Sequence, residues 1–269
     1  LINPSAIFSL ILLATPKKAM SVEHLIVLEK IFVRLAAAAS PFHPAIASYH
    51  NFAAMLLKME KYLDLQRFSH PSGDILYVQG NQSQGLQYYR NNILHFFVLP
   101  SIVANLLRHN NGLNKEQVVQ GATILYRFFS NAFFLEAEPE DFAGIISSVL
   151  DEFINAKLLV LDHTQGRYMR PNVLSDEFSY FKILCNIHGS ELERIGIYTL
   201  TIIRYGTNSR IMLKALAEEY QLIAKRLSLL TETQELTSIP ENYVLQFLRT
   251  LASFDFVSVY KTNIANNNF

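Results

Sequence analysis

The most apolar stretch of the chain is residues 93–107, in which no side chain carries a formal charge at pH 7. Residues 88–92 are polar or aromatic, so the whole segment reads YYRNNILHFFVLPSIVANLL. A helix with so apolar a body lacks the polar face of a solvated helix and is expected to be buried. Pro100 lies inside it and is expected to bend it, because proline removes a backbone donor. The pattern predicts one bent, buried helix from about residue 82 to His109.

Helical spacing of apolar residues recurs along most of the remaining chain. Three starts carry capping signals: Asn3 with Pro4, Ser21, and Asn114. The predicted helices cover residues 5–14, 22–39, 49–65, 114–133, 139–156, 174–205 with a break near 189, 209–230 and 241–254. Strands are predicted at 75–78, at a hairpin formed by 158–161 and 167–170, and at 256–260 beside the hairpin. The pattern therefore predicts a mainly α fold, a multi-helix domain with a short β-hairpin that is compatible with a winged-helix-like arrangement.

Composition narrows the classes of protein that fit this pattern. Half of the residues are hydrophobic and 17% are charged, below the roughly 25% of an average soluble domain. This apolar excess is expected of a protein that lies against a membrane or a further domain, and equally of a well-packed helical core. Basic and acidic residues number 23 each, so there is no electrostatic case for a nucleic-acid partner. No apolar run reaches the ~20 residues that span a bilayer.

Side chains that hold metals or form covalent intermediates are sparse. The single cysteine, Cys185, excludes an internal disulfide and a zinc site made of several cysteines. Its apolar neighbours predict a small buried hydrophobic residue rather than a nucleophile. The chain has no glycine-rich nucleotide-binding loop, so neither a cofactor nor a metal is expected.

Three segments together resemble one known family. Residues 88–107 are similar to the YYRNN-containing segment of the bacterial membrane-associated glycerol-3-phosphate acyltransferases. Residues 1–16, LINPSAIFSLILLATP, resemble the segment just after the acyltransferase core, and residues 73–78, GDILYV, resemble the strand before the YYRNN helix. The order and spacing of the three segments agree with the family. From about Asn114 onward the layout is similar but carries no sharp motif.

The resemblance implies that the chain is the C-terminal region of a longer acyltransferase. Residues 1–16 would be the last helix of the upstream acyltransferase core, and residues 17–269 a helical C-terminal domain with a possible sub-boundary near residue 112. The family's catalytic His-x4-Asp motif occurs at none of the eight histidines, and its place in the family would precede Leu1. We therefore expect no catalytic residue here, and a fragment that braces the catalytic domain but is inactive alone.

The same resemblance implies substrates, partners and a location. The full enzyme would transfer an acyl group from acyl-CoA or acyl carrier protein to the sn-1 hydroxyl of glycerol 3-phosphate, for phospholipid synthesis through phosphatidic acid. It would lie peripherally on the cytoplasmic face of the inner membrane, with the phospholipid surface and the upstream domain as partners. The alternative is a non-enzymatic helical interaction module, or the inactive remnant of a split gene.

The candidate binding residues are Arg90, Asn91, Asn92 and His95. A guanidinium beside two amides can hold a phosphate bidentately, and both expected substrates are anionic. Alternatively, these side chains bond nearby carbonyls and helix ends, and fix the domain to the catalytic core. His95 is expected one helical turn after Asn91 on the same face. Because it lacks a local acidic partner, a neutral core histidine bonded to a carbonyl is favoured over an acid–base role.

Overall fold

The computed structural model describes residues 2–41, 56, 59–63, 65–71, 73–79, 83–110, 112–130, 133, 135, 141–206, 210–231 and 241–258. The chain divides into two compact units, residues 1–189 and 190–269. Helices dominate both, so the predicted mainly α fold is confirmed. Residue 112 lies inside the first unit, and the assignment of residues 1–16 to a preceding domain stays a prediction.

The first unit contains seven described helices and two small sheets. The helices are α1 (Pro4–Ala14), α2 (Val22–Ala39), α3 (Ser83–Asn91), α4 (Val98–His109), α5 (Lys115–Phe129), α6 (Phe142–Asn155) and α7 (Asp176–Ile187). The strands are β1 (Ala19–Ser21), β2 (Gln66–Phe68), β3 (Ile75–Tyr77), β4 (Leu113–Asn114), β5 (Val160–Asp162) and β6 (Arg167–Met169). Short 3₁₀ turns occupy Pro16–Lys18 and Leu94–Phe97. The second unit contains α8 (Gly189–Tyr205), α9 (Leu213–Thr231) and α10 (Glu241–Ala252).

Side-chain caps start the helices where the sequence predicted them. Asn3 Oδ1 accepts from the Ala6 amide at 2.8 Å, and Ser21 Oγ accepts from the His24 amide at 3.3 Å. Asn114 and Gln117 form a reciprocal capping box, with N–O distances of 2.8 and 3.0 Å. Each of these bonds satisfies an amide that has no acceptor inside its own helix. The predicted caps are confirmed.

The core of the first unit is built around α1, which is apolar on nearly every side, and α4, whose residues 98–104 are all buried. Helix α1 packs against α2, α3 and α7. The side-chain amide of Asn186 donates to the Ala14 carbonyl at 3.0 Å. Helix α4 packs against α2, α5, α6 and α7. The side-chain amide of Asn105 donates to the Cys185 carbonyl at 2.9 Å. Neighbouring helices of this chain therefore cover both of these apolar segments.

Both sheets are antiparallel and three-stranded, in the orders β1-β3-β2 and β4-β6-β5. The predicted strand at 75–78 and the predicted hairpin are confirmed. The third strand of the hairpin sheet is β4, whose Leu113 lies opposite Tyr168. Residues 256–258 form no strand, so pairing of that part of the predicted terminal strand with the hairpin is wrong. At two residues, β4 is too short to show the alternation by which strands are read from sequence.

Two predicted helices lie partly or wholly outside the described residues. For the helix at 49–65, only residues 56 and 59–62 are described as helical. The predicted start near Pro139 also falls outside, and α6 begins at Phe142.

The second unit has an aromatic centre. Tyr198 of α8 stacks on Tyr220 of α9 and on Phe247 of α10, with ring-centroid distances of 4.1 and 4.8 Å. Arg204 and Glu219 form an ion pair at 2.9 Å between α8 and α9. The predicted helix break near Gly189 is confirmed, since α7 ends at Ile187 and α8 begins at Gly189.

Candidate functional site

The segment that carries the candidate residues is two helices rather than one bent helix. Helix α3 ends at Asn91 and α4 begins at Val98, with the 3₁₀ turn between them. Ile93 has φ −124° and ψ 0°, outside the helical region. Pro100 is the third residue of α4, where its missing N–H has no helical acceptor in any case. The prediction of a single helix kinked by Pro100 is therefore wrong.

This break places the four candidate residues on three different elements. Arg90, half-buried, and Asn91, exposed, are the last two residues of α3. Asn92 is exposed in the link, and His95 is half-buried in the 3₁₀ turn. The expectation that Asn91 and His95 share one helical face is wrong, because the helix stops at Asn91. The His95 ring instead lies 3.9 Å, centroid to centroid, from that of Phe96.

The guanidinium of Arg90 folds onto its neighbour. Its Nε and Nη2 donate to the Asn91 side-chain oxygen at 3.2 and 3.0 Å. Within the described part of the chain no carboxylate forms an ion pair with Arg90. The Asn91 oxygen is a neutral acceptor and does not offset the positive charge. Arg90 therefore keeps a full charge and further N–H groups with which to bind an anion.

The outward face of α3 presents polar and aromatic groups beside Arg90. Tyr88 is 69% exposed and meets Tyr89 edge to face, with ring centroids 5.7 Å apart. The amides of Asn91 and Asn92 are exposed on the same segment. Helix α3 packs along the buried helix α1, which fixes the backbone that carries these groups. The arrangement provides hydrogen-bond donors on a supported surface.

A buried histidine that the sequence did not single out holds the 3₁₀ turn in place. His188, fully buried at the end of α7, has its ring Nε2 3.1 Å from the Leu94 carbonyl oxygen. The His188 backbone amide donates to Ser101 Oγ at 3.3 Å, and Phe129 packs edge-on against the imidazole. The two hydrogen bonds connect residues 87 and 94 positions apart. No local sequence signal could have identified them.

The described residues contain neither a reactive thiolate nor a metal-binding cluster. Cys185 is fully buried, and burial raises the pKa of its thiol to about 12, so the thiolate nucleophile does not form near neutral pH. The predicted buried cysteine is confirmed. Among the described residues, no group of three His, Cys, Asp or Glu side chains could hold a metal ion. No described helix is long and apolar enough to cross a membrane.

Residues 1–259 match the sequence model of a family described as the glycerol-3-phosphate acyltransferase C-terminal region. The chain belongs to this family. It is 29% identical over 231 residues to a glycerol-3-phosphate acyltransferase of Xanthomonas axonopodis pv. citri, covering 85% of this chain and 26% of that protein. It is 24% identical over 255 residues to one of Pseudomonas fluorescens, covering 94% and 30%. A Xylella fastidiosa relative of the same name is 28% identical over 236 residues, covering 85% and 26%.

The matched region contains all three segments that carried the resemblance, which is thereby confirmed. The chain spans less than a third of the length of these relatives. The α3 segment and the helices that support it lie within the residues that match this C-terminal family.

Proposed function

We propose that this chain is the C-terminal part of an enzyme that acylates glycerol 3-phosphate. The acyl group would come from acyl-CoA or acyl carrier protein and be transferred to the sn-1 hydroxyl. Membership of the C-terminal family, together with the names of the three relatives, supports this proposal. A histidine base oriented by an aspartate would lie in the preceding part of the enzyme, which this chain would brace.

Within that function, we propose that Arg90 binds a phosphate of one of the substrates. The observation that supports this role is a guanidinium beside two exposed amides, with no carboxylate paired to it in the described residues. Charge-assisted hydrogen bonds of this kind contribute about 1.5–3 kcal/mol each. The competing role is structural: Arg90 would only close the end of α3 by holding Asn91.

Kinetics and stability separate the two roles. In the full-length enzyme, we expect Arg90→Gln to raise the KM of one anionic substrate about tenfold or more, because ~1.4 kcal/mol corresponds to tenfold in binding. Arg90→Lys should retain part of the affinity, since it keeps the charge but loses the bidentate geometry. Arg226→Gln on the exposed surface of α9 is the matched control, and it should change neither the KM nor the melting temperature. A lower melting temperature with an unchanged KM would show that Arg90 is structural.

The overall activity is tested by expressing the complete reading frame that contains this chain. The purified protein should form 1-acyl-glycerol 3-phosphate from glycerol 3-phosphate and an acyl thioester. Folded protein that forms no acylated product with either donor class would contradict the proposed activity.

We also propose that the full-length protein binds the surface of a phospholipid membrane from the cytoplasmic side. The support is an apolar strip on α8, where Leu200 is 57% and Ile203 65% exposed. A helix lies on a membrane by burying such an apolar face in the interface. Flotation with phosphatidylglycerol vesicles tests it, and a protein that stays with the buffer fraction would refute membrane binding.

A further inference from the structure

The hairpin sheet of the first unit borders an open groove of about 470 Å³. Its walls come from the end of α6, from β5, and from the loop that leads into α7. Ile154, Leu159 and Leu161 give it an apolar lining. Leu174, on the adjacent loop, is 93% exposed, and Val160 is 49% exposed. Apolar side chains clustered on one surface commonly mark an interaction site.

One wall of the groove is formed by a strand at the edge of the sheet. Among the described strands β5 pairs only with β6, so its other edge has no described partner strand. An open strand edge is a template for a further strand, and proteins ordinarily protect such edges. Exposed apolar side chains lie beside this edge, together with Lys157 at the end of α6. An added strand would gain both backbone hydrogen bonds and an apolar contact surface.

A lysine in a strained conformation gives the groove a charge preference. Helix α6 ends in a Schellman motif: the Lys157 amide donates to the Ile154 carbonyl at 2.9 Å, and the Leu158 amide to the Phe153 carbonyl at 2.8 Å. The position between these bonds is usually glycine, because the backbone is left-handed there. It is occupied by Lys157, at φ 58°. Strained backbone positions of this kind cluster at functional sites, which points to a role for the Lys157 side chain.

Three ionisable side chains line the groove, and one of them, Lys157, is available to an acidic group of a partner. Lys157 lines the groove and forms no ion pair within the described ranges of the chain. His163 lines it at the hairpin turn, and Glu177 lines it from the first turn of α7. Lys157 lies only three positions before the start of β5 in the chain. A carboxylate on the added strand could therefore pair with Lys157.

We propose that this groove and the β5 edge bind an extended, largely apolar segment with an acidic residue, supplied by the preceding, catalytic portion of the same enzyme. This inference rests on the proposed function, in which such a portion exists. The relatives' length favours this occupant, because the matched region is only 26–30% of each of them. A region that braces the rest of the enzyme needs an interface with it. Strand addition at β5 provides a specific one.

Hydrogen–deuterium exchange on the 269-residue chain and on the full-length enzyme tests the proposal. We expect the amides of residues 159–163 to exchange at least tenfold more slowly in the full-length enzyme. The amides of α5, away from the groove, should exchange alike in both proteins. Equal exchange of residues 159–163 in the two proteins would overturn the inference.

Two glycine substitutions provide a matched pair of variants. Lys157 and Lys17 both have left-handed backbones, at φ 58° and 62°, and Lys17 does not line the groove. Neither Lys157→Gly nor Lys17→Gly should lower the melting temperature of the 269-residue chain. Only Lys157→Gly should reduce the protection of the amides of residues 159–163 from hydrogen exchange in the full-length enzyme. Val160→Asp, at a groove side chain of β5 that is 49% exposed, should reduce it as well, and retained protection in both groove variants would refute the assignment.

Other occupants give different results. Protection that grows with the concentration of the 269-residue chain would identify a second copy, and protection induced by phosphatidylglycerol vesicles would identify a membrane. Either result overturns the proposed occupant. Acyl transfer, measured on the same full-length preparation, keeps the two proposals distinct. Acyl transfer without slowed exchange of residues 159–163 would refute only the proposed groove interaction. Slowed exchange without acyl transfer would refute only the proposed function.

Discussion

Helices α4 and α5 are in close contact at Gly121. Whether alanine at this position stabilises or destabilises the fold depends on the side chain of Leu106. A Cβ added at Gly121 would lie 3.0 Å from Leu106 Cδ2 and 3.2 Å from Leu106 Cδ1. Carbon atoms at optimal separation lie ~3.5–4.0 Å apart, so both distances are too short. Glycine in this helix is therefore explained by the close approach of α4, although glycine is a poor helix former.

Two opposing contributions set the magnitude for Gly121→Ala. Alanine gains up to ~1 kcal/mol of helix propensity over glycine. Overpacking in a well-packed contact costs about 1–3 kcal/mol. The expected net result is a destabilisation of about 1 kcal/mol, or roughly 2–4 °C in melting temperature for a unit of this size. In a Leu106→Ala background the overlap is gone, and the same substitution should stabilise by up to ~1 kcal/mol.

A double-mutant cycle by urea denaturation measures the effect directly. The wild type, the two single variants and the double variant should unfold with similar m-values. We expect a coupling energy of about 1–3 kcal/mol between positions 121 and 106, as found for residues in contact. Gly144→Ala in α6 is the control, because a Cβ there meets nothing within 4 Å. It should be neutral to stabilising. A Gly121→Ala variant equally stabilising in both backgrounds would refute the steric explanation.

Two further predictions concern buried titratable groups. Burial raises the pKa of Glu29, which is 5% exposed in α2, above its ordinary value of 4.5. The native state then holds its proton more tightly, so stability falls as pH rises through the native pKa. Glu29→Gln should therefore raise the melting temperature at pH 7.5 but not near pH 4, and an equal increase at both would contradict this cause. Cys185, with a pKa of about 12, should resist maleimide at pH 7.5 until guanidinium unfolds the chain, and rapid labelling of native protein would contradict its burial.

The parts of the fold that the sequence predicted are those stabilised by nearby residues. The Asn3 and Ser21 caps and the Asn114 capping box all act across three positions, so the responsible residues are visible together in the sequence. The β5–β6 hairpin is likewise local, and its turn is closed by Asp162, whose carboxylate accepts from the Thr164 amide at 2.8 Å. Strand β4 could not be predicted, because its pairing partner β6 begins more than fifty positions later.

The candidate site was only partly predictable for the same reason. Its residues were identified from a local resemblance, but their geometry depends on the break between α3 and α4. That break is held by the contact of His188 with the Leu94 carbonyl and by the bond from the His188 amide to Ser101. An uninterrupted apolar run carries no mark of a partner so distant in the chain. Helical periodicity alone therefore joined two helices and placed Asn91 and His95 on one face.

Residues that local preference would not select are the best remaining indication of function in this chain. Helix C-termini with left-handed backbones favour glycine, yet Lys157 occupies such a position and Lys17 another left-handed turn. If both lysines serve only solubility, glycine at either position should improve stability without cost to any other property. If Lys157 pairs with an added strand, the two substitutions will differ in the full-length enzyme although they act alike on the isolated chain. The comparison therefore separates a charge retained for binding from one that is merely tolerated.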